Sequence, residues 1–97
     1  MLILPIKRKW FDMIKSGEKK EEYREFKKYY HTRFKKIFGL DYKDKTAEII
    51  FRNGYSKVSP EIKCKCIFKG KGTGKPEWGA EEGKEYYILE IVGGNDE

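Results

Sequence analysis

The sequence has few cysteines, a single histidine and no long apolar run, and each shortage excludes a class of protein. Two cysteines and one histidine are fewer than the four ligands that a structural zinc site needs. Cys64 and Cys66 stand two residues apart, so in an extended segment both point to one side, a geometry that disfavours a disulfide between them. We therefore expect two reduced thiols in an apolar core, no metal and no cofactor.

The apolar runs are also too short for a membrane protein. None approaches the roughly 20 residues that span a bilayer, and the N-terminus lacks the features of a signal peptide. We therefore expect a cytoplasmic protein with no membrane partner. His31 has no Cys or Ser near it in a triad-like context, which favours a surface residue over a catalytic base.

The length and charge of the chain suggest one small domain with a polyanionic partner. Its 97 residues suit a single hydrophobic core, and we predict one domain over 1–97. The net charge is +6 at pH 7, and aromatic residues make up 15% of the chain. Residues 1–45 hold 14 Lys and Arg against 7 Asp and Glu, whereas residues 46–97 hold 8 against 9. An anion-binding surface is thus expected in the first half.

Hydrophobic periodicity predicts an α+β fold, a small β-barrel or curved sheet of about five strands with two or three capping helices. Strands are expected over 2–6, 19–25, 47–52, 62–69 and 86–92, and helices over 7–16 and 27–38. Asn53-Gly54 predicts a tight type I′ hairpin turn. Five of the ten glycines lie in residues 70–83, which predicts a long flexible loop tethered by Trp78, and residues 93–97 are expected to be a frayed tail.

One charged segment, from Gly17 to Arg24, follows the first predicted helix. On a strand, Glu22 and Arg24 share a face, whereas Lys19 joins them only if it lies in a turn after Gly17. These residues are either solvated strand charges, with an ion pair worth about 0–1 kcal/mol, or a mixed-charge pocket. In such a pocket Arg24 holds a phosphate or base edge, Glu22 accepts from an amine, and Lys19 contacts phosphate or acts as a nucleophile or base.

Further candidates for a nucleic-acid interface flank this segment. Lys7 and Arg8 lie at the first strand-to-helix junction, where they would add phosphate contacts. The run from Lys27 to Arg33 interleaves cations with rings, and Tyr29 is expected to face outward for base stacking. Arg52 and Tyr55 flank the predicted hairpin turn and are candidates for lining the same cleft.

Gly17, Lys19, Glu22 and Arg24 match the G-x-K-x-x-E-x-R signature of ASCH domains. The chain resembles that family upstream as well, because a short apolar strand precedes an aromatic-containing helix that ends in Ile14-Lys15-Ser16-Gly17. Strand and motif together cover about the first quarter of the chain. The resemblance implies a PUA-like β-barrel with helices at its openings, and a cleft beside the motif that binds RNA or a nucleotide.

The resemblance leaves a binding module and an enzyme open. One enzymatic branch of the ASCH family is similar to acetylcytidine amidohydrolases. These enzymes use the motif Lys, a Thr at the position where this chain has Glu22, and a later Glu. In this chain Glu61 or Glu77 is available as the later Glu. Ribonuclease activity is the other enzymatic option. We predict an RNA- or nucleotide-binding cleft, and as the alternative a small hydrolase with Lys19 as nucleophile or base and Glu22 as proton carrier. The predicted binding residues are Lys7, Arg8, Lys19, Glu22, Arg24, Tyr29, Arg52 and Tyr55.

Overall fold

A computed structural model describes residues 2–39 and 43–94 of the chain. It contains five strands and two α-helices in the predicted order, and this part of the chain has the predicted α+β class. The elements are β1 (Leu2–Pro5), α1 (Arg8–Ser16), β2 (Glu21–Arg24), α2 (Lys28–Phe38), β3 (Thr46–Arg52), β4 (Glu61–Thr73) and β5 (Glu85–Gly94), with a 3₁₀ turn at Pro76–Trp78.

The strands form one mixed sheet that curves into a half-barrel. Their order is β1-β3-β4-β5-β2, with β1 parallel to β3 and every other neighbouring pair antiparallel. The register between β4 and β5 shifts at Lys65/Cys66 and again at Phe68/Gly70, and such bulges bend and twist a strand. Curvature brings the two edge strands, β1 and β2, towards each other at one side of the sheet.

The core lies in the concave side of this sheet, under α2. The strand predicted over 62–69 is confirmed, and its alternate residues Ile62, Cys64, Cys66 and Phe68 are all buried. From α2, the fully buried ring of Phe34 lies 5.5 Å from that of Phe68 between centroids. Aromatic packing of this kind adds to the free energy gained from area burial, so α2 is held by its inward face. Both cysteines are buried thiols.

The predicted tight hairpin at Asn53-Gly54 is wrong. β3 ends at Arg52 and β4 begins only at Glu61, and in the described residues Asp44 is the one non-glycine residue with a positive φ. A type I′ turn needs positive φ at both central residues. Instead, Asn53 donates its side-chain amide to the Ile6 carbonyl at 3.2 Å and its backbone N–H to the Pro60 carbonyl at 2.9 Å.

The long flexible loop predicted over residues 70–83 is also wrong in its first part. β4 continues through Gly70 and Gly72 to Thr73, paired with Ile88, Tyr86 and Glu85 of β5. Glycines show no side-chain alternation, so the sequence pattern concealed this half of the strand. β5 likewise includes Gly93 and Gly94, which the sequence pattern places in the tail, and the tail positions 95–97 lie outside the described residues. Neither of the two helices described is long and apolar enough to cross a membrane.

Candidate functional site

Gly17 places Lys19 on the same side of the chain as Glu22. The glycine ends α1 with a φ of 86°, a left-handed conformation that costs glycine no side-chain clash. The Lys19 N–H then donates to the Met13 carbonyl at 2.9 Å, so the chain folds back before β2 begins. The strand predicted over 19–25 begins only at Glu21. Lys19 therefore lies before β2, in the turn after Gly17 that the sequence left open as an alternative, and its side chain reaches the Glu22 carboxylate.

The Lys19 ammonium is buried and fully hydrogen-bonded. Its side chain is 1% exposed, and Nζ lies 3.1 Å from Glu22 Oε1. It also donates to the Trp78 carbonyl at 2.9 Å and to the Glu21 carbonyl. An ammonium group has three donors, and all three have an acceptor. Burial lowers the pKa of Lys19, and the Glu22 carboxylate opposes that shift.

The second carboxylate oxygen of Glu22 is taken by Arg24. Oε2 accepts from Arg24 Nε at 2.8 Å and lies 2.5 Å from Nη2, so two donors of the guanidinium converge on one carboxylate oxygen. Burial acts to lower the pKa of Arg24, but the Glu22 carboxylate and the Tyr30 hydroxyl raise it overall. Lys19, Glu22 and Arg24 thus form one buried ionic cluster with both carboxylate oxygens occupied. We call it the KER cluster.

Arg24 also joins the two edges of the sheet. It extends from β2 to donate to the Pro5 carbonyl in β1 at 3.0 Å, although β1 and β2 are the outermost strands and share no ladder. A further donor reaches the Tyr30 hydroxyl of α2 at 3.1 Å. The guanidinium therefore bridges three elements that the backbone leaves separate, which gives the motif arginine a structural role.

Residues 74–79, which we call the strap, cross over the KER cluster. At Gly74 an added Cβ would lie 2.6 Å from the Tyr23 ring, so glycine is required for the strap to pack there. The Lys75 N–H donates to the Tyr23 hydroxyl at 3.0 Å, and that hydroxyl donates to Glu21 at 2.7 Å. Trp78 tethers the strap as predicted, through the carbonyl that accepts from Lys19.

Beside the cluster lies an open cleft of about 310 Å³. Two members of the cluster, Glu22 and Arg24, form part of its wall, while Lys19 lies beneath the surface and does not line it. Three aromatic rings, two lysines and a second carboxylate, Glu25, complete the polar and aromatic lining. The whole lining comprises Pro5, Ile6, Lys7, Trp10, Glu22, Tyr23, Arg24, Glu25, Lys27 and Tyr30.

Of the eight predicted binding residues, three line this cleft: Lys7, Glu22 and Arg24. Arg8 and Arg52 are instead paired with carboxylates, Asp12 at 3.1 Å and Glu61 at 2.5 Å. Tyr55 projects from the loop between β3 and β4 with 87% of its surface exposed. Tyr29 lies on the outward face of α2, as predicted, and lines a separate groove.

Sequence reasoning missed Trp10, Tyr23 and Lys27 as parts of the cleft wall. Trp10 lies on α1, where it is only partly buried, and Lys9 Nζ lies 4.7 Å from its ring centroid. Tyr23 follows the motif glutamate on a four-residue strand, where its ring lies 5.8 Å from that of Tyr86. An aromatic residue inside a charged motif was the available signal for Tyr23.

Among the described residues, no group of three His, Cys, Asp or Glu side chains is placed to hold a metal ion. The two later carboxylates considered for an enzyme have other surroundings. Glu61 is bound to Arg52, and Glu77 is exposed in the strap. No known protein family, curated protein or solved structure matches this chain.

Proposed function

We propose that this chain is an RNA- or nucleotide-binding domain of the ASCH type, with a PUA-like fold and its ligand in the cleft beside the KER cluster. The observation that supports this most is the composition of the cleft wall. It combines the rings of Trp10, Tyr23 and Tyr30 with the cation Lys7 and with Lys27, whose Nζ lies 3.1 Å from the Glu25 carboxylate. Rings that stack on bases and cations that contact phosphates are the two elements that single-strand binders combine.

The KER cluster holds its charged side chains in a fixed orientation. Its hydrogen bonds fix Glu22 and Arg24 in the cleft wall at 6% and about a tenth exposure. A site held by buried neighbours presents its edge in one geometry, which favours recognition of a particular base over a sequence-blind contact with phosphate. The residues that line the cleft all belong to the first half of the chain, which carries the charge excess and supplies the long-range attraction.

The hydrolase alternative has less support from the geometry. A nucleophilic or basic Lys19 must present an uncharged nitrogen to a substrate, and burial does lower its pKa. However, the Lys19 side chain is 1% exposed, and the donors of its Nζ are all used by Glu22, Glu21 and Trp78. Turnover of acetylated cytidine or RNA by the purified chain, abolished in Lys19→Met, is the result that would favour the enzyme instead.

The binding proposal is tested by matched lysine variants at the two ends of α1. Lys7 precedes the helix and lines the cleft, whereas Lys15 lies in its last turn, is exposed and does not line the cleft. Lys7→Gln and Lys15→Gln change the net charge equally. Fluorescence anisotropy with a labelled single-stranded RNA should show about fivefold weaker binding for Lys7→Gln, equivalent to about 1 kcal/mol for one exposed charge pair.

Salt dependence gives a second measurement on the same variants. Removing one lysine–phosphate interaction should lower the slope of log K against log salt by about 0.7 for a single strand. We expect that decrease in Lys7→Gln and none in Lys15→Gln. Equal effects of the two substitutions, or equal affinity of the chain for RNA and heparin, would refute a specific nucleic-acid site in the cleft.

A further inference from the structure

Arg33 differs from the other arginines in its surroundings. The chain has four, and three of them hold a carboxylate: Arg8 with Asp12, Arg24 with Glu22 and Arg52 with Glu61. Arg33 forms no ion pair or side-chain hydrogen bond with any residue in 2–39 or 43–94. It lies exposed on α2 instead, with its guanidinium carbon 4.2 Å from the centroid of the Tyr29 ring.

That stacking holds the guanidinium in place while leaving its donors available. A guanidinium over an aromatic ring is attracted through its face, and its N–H groups lie in its own plane, where they remain open to a ligand. The planar fork of donors matches phosphate in a bidentate way. Tyr29 and Arg33 therefore form a pre-positioned contact from which an anion can accept hydrogen bonds.

This contact opens on a groove between α2 and β1 with a volume of about 710 Å³. Its lining includes two cations, Arg33 and Lys36, and the hydroxyl of Thr32, over an apolar floor that contains Ile3 and Ile37. Within the described part of the chain no carboxylate lines the groove, and α2 contains no acidic residue between Lys28 and Phe38. The groove shares no lining residue with the cleft beside the KER cluster.

We infer that this groove is a second nucleotide-binding site, in which Arg33 and Lys36 hold a phosphate and the apolar floor packs against the sugar and base. The class of ligand rests on the proposed function, but the location does not. The rings of Tyr29 in the groove and Tyr30 in the cleft are 5.1 Å apart, so a short single strand can contact both sites.

The experiment follows backbone amide shifts by NMR during titration with uridine monophosphate and then with a short oligouridylate. Arg33→Gln is the test variant, and Lys35→Gln is its control, since Lys35 is an exposed cation of the same helix outside the groove. Shifts are expected at Thr32, Arg33 and Lys36. In Arg33→Gln these groove shifts should require about tenfold more ligand, the usual scale for a charged hydrogen bond, whereas Lys35→Gln should change affinity less than about twofold.

The two arms separate a free nucleotide from a strand. Groove shifts with the monophosphate assign a mononucleotide site, and groove shifts with the oligouridylate alone assign a strand contact; both support the inference. Shifts confined to Lys7, Trp10 and Tyr23 would overturn the groove site and support the cleft. Shifts at the groove residues without shifts at the cleft residues would support the groove site and count against the cleft. Equal weakening of binding in Arg33→Gln and Lys35→Gln would also overturn the inference, because binding would then depend on net charge alone and not on the groove.

Discussion

Removing the charge of Glu22 should strongly destabilise the fold. In Glu22→Gln the side chain keeps its size, but the buried ammonium of Lys19 and the guanidinium of Arg24, 1% and 11% exposed, lose their shared counterion. Breaking a buried ion pair by neutralising one partner typically costs about 3–5 kcal/mol, since an uncompensated charge remains buried. A domain of this size has about 5–15 kcal/mol of stability in total, so the loss is a large fraction of it.

Urea denaturation followed by circular dichroism measures this loss. The control is Asp12→Asn, which neutralises the partner of Arg8 in a pair whose side chains are 77% and 55% exposed. An exposed pair of this kind contributes about 0–1 kcal/mol. If Glu22→Gln loses no more free energy of unfolding than Asp12→Asn does, the KER cluster is not the electrostatic unit described above.

The free energy of unfolding of the same variant should also depend on pH, which packing damage alone would not produce. Burial lowers the pKa of Lys19 below the usual 10.5, and Glu22 is the main group that opposes the shift. Without Glu22, folded Lys19 loses its proton at a pH where the unfolded chain still binds one. The pKa of Lys19 is below 10.5 in the native fold as well, but Glu22 keeps it higher there than in the variant. Stability of Glu22→Gln relative to the native chain should therefore rise with pH until Lys19 of the folded native chain also loses its proton, by at most about 1.4 kcal/mol per unit. A deficit that is flat with pH would contradict this account.

Two further predictions concern the strap and the core. Gly74→Ala should lower the free energy of unfolding by about 1–3 kcal/mol, because its Cβ would overlap the Tyr23 ring. The control is Gly93→Ala, whose Cβ has 4.0 Å of clearance and which should change the free energy of unfolding by less than about 0.5 kcal/mol. Equal effects of the two substitutions would contradict the packing argument. Burial raises the pKa of the Cys66 thiol above its usual 9.0, so above that pH the unfolded chain loses a proton that the folded chain retains, and stability falls by up to about 1.4 kcal/mol per unit. Chemical denaturation across this range should show a shallower fall in Cys66→Ala, and identical slopes would refute a buried protonated thiol.

Local patterns were sufficient to predict most elements of the fold. The alternation in β4 and the spacing of Tyr30, Phe34 and Phe38 in α2 reflect burial of one face, which sequence displays directly. Asn53 could not be placed in this way, because its side chain and N–H are used by Ile6 and Pro60. Those partners are distant or lie across the loop, and turn propensity alone does not include them.

The site was predictable to a similar extent. The sequence left two alternatives for the motif, solvated strand charges or a mixed-charge pocket. The left-handed Gly17 decides between them, since one residue of turn changes which side of a strand a side chain occupies. The burial of the Lys19 side chain was not predictable. Its burial depends on the Trp78 carbonyl, which approaches from 59 residues away, and on glycines that let the strap pack against Tyr23 and Trp10.

The pairing of β2 determines when the site can form during folding. β2 holds Glu22 and Arg24, and its ladder partner is β5, with Glu22 opposite Leu89 and Arg24 opposite Tyr87. Pairing over so long a sequence separation closes a large loop and is slow compared with local contacts. On a ribosome, the motif strand emerges early and has no sheet to join until β5 is made. The cleft is therefore assembled by the last strand described, and a fragment that ends before Glu85 would contain the motif without the site.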